Sequence, residues 1–397
     1  MTHDCRICGH DKHQEIFSHS NTPLFVGILG PDTPEQLANV KLPISLVKCL
    51  NCDTIQQPVE PKVDALLDQI YMASHDNACS GTRTGEGEFG RQRAQQFLDG
   101  VSLNEMPADI LEIGCNQGHM LAICKERGGK TMVGVEPSVD EAFSPKSGIE
   151  ILPGYFSKDS VGGSTFDLAY MIEVLEHIPQ PIEFLRDVHA VLKPAGKIAI
   201  SVPNCESGLE FGNIGMPIHE HLIYFTPDTL SDTLRRAGFN VLHVKGTFSH
   251  LYCLAKRIDT KSVPQGSAEV VTDTFWPAAE QKFKMLQEFT DKQTGAWGLY
   301  GACSLTANLL AWYPHIDLKA AIVIDADSNK WGKIVSGCPK KTVSPADAVS
   351  MGVENVVVMP FGFQENIEGF IRDRFPELEP TLLFRGLADE YAVKARS

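Results

Sequence analysis

Between residues 76 and 255, short apolar runs alternate with amphipathic stretches, and few architectures accept that order. The runs are ADILEIG, KTMVGVE, FDLAYMI, GKIAISV, NVLHVKG and HLYCLAK. Buried strands separated by helix-forming segments imply a parallel, doubly wound α/β sheet. The same alternation returns later in AWGLYGA, KAAIVID, ENVVVMP and PTLLFRG, implying a second, smaller α/β domain. The two stretches are joined by KRIDTKSVPQGS, which reads as a linker, and by FWPAAEQKFKMLQEF. There Phe275, Ala279, Phe283, Leu286 and Phe289 recur at helical spacing, so this is a surface helix with one buried stripe. Residues 1–75 are Pro-rich and short-stranded, with too little core of their own. The expected organisation is therefore a small module (1–75), a central domain (76–255) and a C-terminal domain (256–397), in keeping with a chain of 397 residues.

Charge and cysteine usage narrow the function. With 35 basic against 50 acidic residues, the net charge of −15 argues against nucleic acid or an anionic membrane as partner. MTHDCRICGHDKH has no apolar core of a signal peptide, and no apolar run approaches the roughly 18 residues of a membrane span, so a cytoplasmic protein is expected. Four of the eleven cysteines form two C-x2-C pairs, Cys5/Cys8 and Cys49/Cys52. Two such knuckles supply four thiolates to one tetrahedral zinc ion, and a full shell makes the site structural. His3, His10, His13 and His19 lie nearby and read as solvated.

Strand ADILEIG runs into a glycine turn, Glu112-Ile-Gly114-Cys115-Asn116-Gln-Gly118, before the helix HMLAICKERG. A turn at the carboxyl end of the first parallel strand is where such sheets bind ligands. A dinucleotide fingerprint would need glycines at Asn116 and His119 as well, and both are absent. The E-x-G-x-x-x-G pattern instead resembles the first motif of class I methyltransferases, where the turn accommodates the amino acid part of S-adenosylmethionine (SAM). Glu136 ends the next strand, where a carboxylate can accept both ribose hydroxyls. Pro137 follows it, and Gly154, Tyr155 and Phe156 are candidates for the adenine wall.

A third cluster follows the fourth and fifth strands: Glu173-Val-Leu-Glu176-His177, Asn204, and His219-Glu220-His221 with Tyr224. Histidine is the natural proton acceptor near neutral pH, and a neighbouring carboxylate raises its basicity. The whole chain resembles the deoxysugar C-methyltransferases, which join a four-cysteine zinc domain, a SAM domain and a C-terminal α/β domain. The resemblance is carried by the cysteine pairs with Pro23-Leu-Phe-Val-Gly27, the glycine loop, Val135-Glu-Pro-Ser138, Val174-Leu-Glu-His-Ile178, His219-Glu-His-Leu222, Leu299-Tyr-Gly-Ala302 and Asp325-Ala-Asp-Ser-Asn-Lys330. It implies a nucleotide-linked keto sugar as small-molecule substrate, with His221 removing the proton beside the ketone. Glu220 would orient His221, and His177 would contact the sugar or developing enolate. Where the family has a tyrosine donating to the enolate oxygen, this chain has Ile218. Losing such a donor typically costs about 10² to 10³ in rate, so Tyr71, Tyr224 or His219 must replace it or the acceptor differs.

Two alternatives stay open. E-x-x-E-H also resembles metal-assisted O-methyltransferases, in which Glu173, Glu176, His177 and His221 would hold a cation that activates a hydroxyl. A non-catalytic zinc and SAM-binding module is the other. In the C-terminal domain, Trp297-Gly-Leu-Tyr-Gly-Ala302 with Asp325 reads as a nucleotide pocket or as simple packing. The family resemblance implies a lid for the sugar nucleotide, with Lys330, Lys333 and Arg235 as diphosphate partners.

Overall fold

The computed structural model describes residues 4–27, 37, 40–72, 87–139, 148–259, 272–313, 321–334 and 340–394, with side chains for all but 70–72, 87–89 and 393–394. Most of the linker and the side chain of Tyr71 fall outside the described residues.

The N-terminal segment forms β1 (His13–Pro23), β2 (Lys41–Cys49) and β3 (Ile55–Gln56), an antiparallel meander. The central sheet contains β4 (Asp109–Ile113), β5 (Thr131–Glu136), β6 (Glu150–Pro153), β7 (Phe166–Ile172) and β8 (Leu192–Pro203). After β9 (Ile223–Tyr224), it is completed by β10 (Phe239–Gly246) and β11 (His250–Arg257), in the order β10-β11-β8-β7-β4-β5-β6. β9 leaves this sheet to pair with β3, so the N-terminal sheet takes its fourth strand from the middle of the chain.

The sheet is mixed, which corrects the all-parallel expectation. β4 to β8 run parallel, but β11 is antiparallel to both β8 and β10. The reason is local: only residues 247–249 join β10 to β11, whereas a parallel crossover needs about a dozen residues. From β4 the chain winds outward through β5 to β6, then returns to place β7 on the other side of β4. That reversal opens a crevice at the carboxyl ends of β4 and β7, where doubly wound sheets bind ligands.

A second sheet, wholly parallel, holds β12 (Trp297–Tyr300), β13 (Ala321–Ile324), β14 (Thr342–Val343), β15 (Asn355–Val358) and β16 (Glu379–Leu382). Its order, β14-β13-β12-β15-β16, reverses about β12 as the central sheet does about β4. The helix Phe275–Thr290 buries Phe275, Ala279 and Leu286, three positions of the stripe read from the sequence.

The N-terminal sheet is wedged between the other two layers. Cys5, Ile7, Cys49 and Cys52 share a buried cluster with Leu222, Phe225 and Leu230. Phe17, Ile44 and Leu46 share another with Phe275, Trp297 and Leu305. Each fully buried side chain of this size contributes roughly 1.5–3 kcal/mol, so the small unit is held by cores it does not own. Among the described residues no helix is long and apolar enough to cross a membrane.

Candidate active site

β4 ends at Ile113, and the chain turns at once through left-handed backbone at Gly114 (φ 75°), Asn116 (φ 48°) and Gly118 (φ 73°). A side chain at Gly114 would place its Cβ 2.6 Å from Val174 Cγ2, so only glycine fits there. The Asn116 N–H donates to Glu136 Oε2 at 2.8 Å, and the Ser138 N–H and hydroxyl donate to Oε1 at 3.0 and 2.7 Å. Glu136 is buried, so these donors fix its carboxylate at the carboxyl end of β5. Beneath the turn, Glu112 accepts a hydrogen bond from Tyr170 at 2.8 Å, and burial pushes its carboxyl up to about 8.

This turn forms one wall of a cavity of about 1030 Å³. Glu112, Gly114, Cys115, Asn116, Glu136, Pro137 and Phe156 all line it, with Tyr155 alongside. Gly118 does not: it precedes the helix His119–Glu126 as its N-cap, so it shapes the turn from behind. The lining also includes Glu176, His177, Ile218, Glu220 and His221, and the C-terminal layer adds Cys303 and Ser304 at the start of its helix Ser304–Trp312. The glycine turn and the segment of His221, about 100 positions apart in the chain, therefore open on one space, with His177 between them in sequence.

The His177 and His221 rings meet edge to face at 4.9 Å. His177 Nδ1 lies 2.7 Å from the Glu220 carbonyl oxygen. A carbonyl only accepts, so Nδ1 carries the proton and Nε2 presents a lone pair. Burial holds His177 below the ordinary histidine range, against the Glu220 carbonyl and the charge of Glu173. His221 is pushed down to about 3, by burial first and by His177 second, with Glu173 opposing. The expected rise in basicity from Glu220 is not what the site shows. Glu220 Oε2 instead accepts the Val26 N–H at 3.1 Å, a bond to the N-terminal unit.

Glu176 is buried, and among the described residues neither of its carboxylate oxygens has a hydrogen-bond partner. Burial, then the charge of Glu173, pushes its carboxyl well above the ordinary range. One ligand atom from each of Glu176, His177 and His221 lies within 4.8 Å of the others, a spacing that a cation could close. Glu173 is not part of that group. Its Oε1 accepts from Arg93 at 2.9 Å and His250 at 2.8 Å. Although burial opposes ionisation, Arg93 and His250 hold the Glu173 carboxyl well below the usual range.

Three substrate candidates from the sequence lie elsewhere. The Tyr224 hydroxyl donates to the Ile218 carbonyl at 3.0 Å and accepts the Ile218 N–H at 3.3 Å. His219 is buried with Nε2 3.4 Å from the Leu42 carbonyl. Asn204 caps the helix Cys205–Glu210 and donates to Thr247 O and Tyr391 Oη, both at 2.8 Å. None of the three lines the cavity, and Ile218, in the tyrosine's place, does. Sequence reading also missed Arg93, the one Lys or Arg among the described residues lining a space with eight acidic side chains. Nothing in its helix, GEFGRQRAQQFLDG, marks it apart from the neighbouring arginine.

In the C-terminal layer Asp325 accepts the Ala302 N–H at 2.9 Å, as Glu136 does for Asn116. Here the carboxylate is already matched: Lys330 Nζ lies 2.9 Å from Asp325 Oδ2 and donates to Ala302 O at 3.1 Å. Lys330 is buried, so it is an internal counter-ion, not the diphosphate partner expected from the sequence.

The four N-terminal cysteines converge. Cys5 Sγ lies 3.6 Å from Cys52 Sγ, and Cys8 Sγ lies 3.6 Å from Cys49 Sγ, with all four sulfurs within 4.8 Å of one another. Four sulfurs about 2.3 Å from one ion at tetrahedral angles stand about 3.8 Å apart, so the set fits a tetrahedral cation. Burial pushes the Cys49 thiol up to about 11, and a cation would offset that penalty on the thiolate.

Comparison with known proteins agrees with the cavity. A family model described as a methyltransferase domain matches residues 87–244. The chain is 26% identical over 250 residues to the C-methyltransferase NovU of Streptomyces niveus, covering 61% of this chain and 57% of that protein, little more than half its length. It is 29% identical over 183 residues to a ubiquinone biosynthesis O-methyltransferase of Ruegeria pomeroyi, covering 42% and 71%. Among solved structures, a Burkholderia thailandensis 1,6-didemethyltoxoflavin-N1-methyltransferase is similar over 53% of this chain and 98% of that one, at 19% identity and a TM-score of 0.38. With its glycine turn, its strand-end carboxylate, the family match and the two sequence relatives, the chain carries a class I SAM-dependent methyltransferase domain over residues 87–244.

Proposed function

We propose that the chain methylates a carbon next to the carbonyl of a nucleotide-linked keto sugar. The observation that carries this reading is that the His221 imidazole and the Gly114–Glu136 cradle line one cavity. The similarity to a protein named a C-methyltransferase supports it. When bound, SAM supplies a methyl group made electrophilic by the sulfonium. Glu136 would accept the ribose hydroxyls, Pro137 and Phe156 would flank the adenine, and Arg93 would meet the methionine carboxylate. The acidic lining suits a cationic centre. His221, neutral because its pKa is depressed, would take the proton from the carbon acid. We assign the four cysteines to a structural zinc ion whose shell they complete. Mass spectrometry of the protein incubated with SAM and a panel of keto sugar nucleotides tests the acceptor class. A product methylated on carbon supports it, and methylated hydroxyls alone would refute it. Glu136→Ala should weaken SAM binding roughly tenfold to a hundredfold by calorimetry, the usual loss for hydrogen bonds to a charged group.

Particular observations favour a second reading, cation-assisted O-methylation of a small molecule. An imidazole pushed down to about 3 is a weak base but a sound metal ligand, and a ring nitrogen of His177 and the Glu176 carboxylate lie within 4.8 Å of it. The cavity also offers little positive charge to a diphosphate. Under this reading Mn²⁺ should bind in equilibrium dialysis, and Glu176→Gln should weaken that binding on the order of tenfold to a hundredfold with the cysteine-bound metal retained. No Mn²⁺ binding beyond the cysteine site would exclude it.

A further inference from the structure

The segment 217–222, which carries His221, has no helix or strand of its own, so its carbonyl groups must find partners elsewhere. One side chain supplies three of them. Gln57 Nε2 lies 2.7 Å from the carbonyl oxygen of Ile218, 3.2 Å from that of His219 and 2.5 Å from that of His221, so its two N–H groups are shared among three acceptors. The Gln57 N–H also donates to Leu222 O at 2.9 Å, and the Leu222 N–H donates to Glu176 O at 2.8 Å. Gln57 is buried, and three carbonyls around one amide atom leave no choice over which end is the nitrogen.

Gln57 follows β3, which is tied to the cysteine knuckles. The Cys49 N–H donates to Thr54 O at 2.9 Å, and Cys52 Sγ lies 3.3 Å from Thr54 Oγ1. The preceding residue, Gln56, accepts the Arg6 N–H at 2.9 Å, inside the first knuckle. Adjacent side chains on an extended strand point to opposite sides, so Gln56 holds the cysteine centre while Gln57 holds the histidine segment. β3 also pairs directly with β9, through Ile55 with Tyr224 and Gln56 with Ile223.

We infer that Gln57 is a positioning residue: it fixes the backbone that carries His221 and thereby links the four-cysteine module to the methyl-transfer cavity. The inference rests on the proposed role of His221, and the main readout needs no acceptor. In the 397-residue, zinc-loaded protein with SAM bound, diethyl pyrocarbonate labelling of His221 is followed by peptide mass spectrometry, with His243 as internal reference. Gln57→Leu should keep its zinc and bind SAM within about threefold of wild type, yet label His221 on the order of tenfold faster, as expected when a buried hydrogen bond is lost and the segment opens. Where a keto sugar acceptor is turned over, kcat should fall roughly 10²-fold with KM little changed, the signature of a displaced catalytic group. Should Gln57→Leu fail to fold, Gln57→Asn, which keeps the amide on a shorter arm, is read the same way. Wild-type labelling of His221 in a folded, SAM-binding variant would overturn the inference, even if its melting temperature had dropped. If no acceptor is ever methylated on carbon, the proposed chemistry fails while the labelling result still decides the role of Gln57.

Discussion

His221→Ala is expected to lower methyl transfer by roughly 10³-fold, within the usual range for a lost general base, with SAM affinity changed by no more than about threefold. The reason for the split lies in the layout of the cavity. The cofactor residues come from the turn after β4 and the end of β5, whereas His221 comes from the separate segment 217–222, held by Gln57. Steady-state kinetics with calorimetry of SAM binding separates the two effects. Unchanged turnover would remove His221 from the mechanism, and a matching collapse in SAM affinity would make it a cofactor residue. His177→Ala should disturb transfer too. Its Nδ1–H bond to the Glu220 carbonyl helps to hold the same segment and leaves Nε2 an acceptor that cannot donate to a developing oxyanion.

Loss of the ion proposed for the four cysteines should be as severe. Apparent binding energies of structural zinc run at about 10–16 kcal/mol, comparable with the whole stability of a domain, and the small N-terminal sheet has little core of its own. Cys8→Ser, at the half-buried corner of the cluster, is the cleaner probe, because a chelator would also strip a cation from Glu176, His177 and His221. The variant should lose stoichiometric zinc, and hydrogen exchange should rise in β1 to β3 and in 217–224 together. Transfer should drop by at least about 10², because a displacement of roughly 1 Å at the reacting groups already costs that much. SAM binding should persist, since the glycine turn rests on the central sheet. Exchange confined to the knuckles, with transfer intact, would show the cysteine centre and the cavity to be uncoupled.

Legibility in the sequence followed the range of the interaction that defined each feature. The apolar runs, the glycine turn at Gly114 to Gly118, the strand-end Glu136 and the paired cysteines are written in local pattern, and the fold places each where such a pattern belongs. β6 and the antiparallel β11 were harder. A four-residue edge strand has almost no period, and direction depends on the length of the preceding connection. The candidate site divides in the same way. His177 and His221 reach the cavity, whereas His219, Asn204 and Tyr224, chosen on the same grounds of proximity and chemistry, turn to backbone groups.

What this chain's residues determine by themselves is which strands and turns form and which functional groups are available. Backbone sterics and hydrophobic period act over a few positions, so they can be read in order. Only the tertiary structure decided that Lys330 neutralises Asp325, that Arg93 and His250 claim Glu173, and that Gln57 secures the segment of His221. Burial and hydrogen-bond partnership depend on neighbours brought from distant parts of the chain, and in a low-dielectric interior those neighbours set the charge and the orientation of each group.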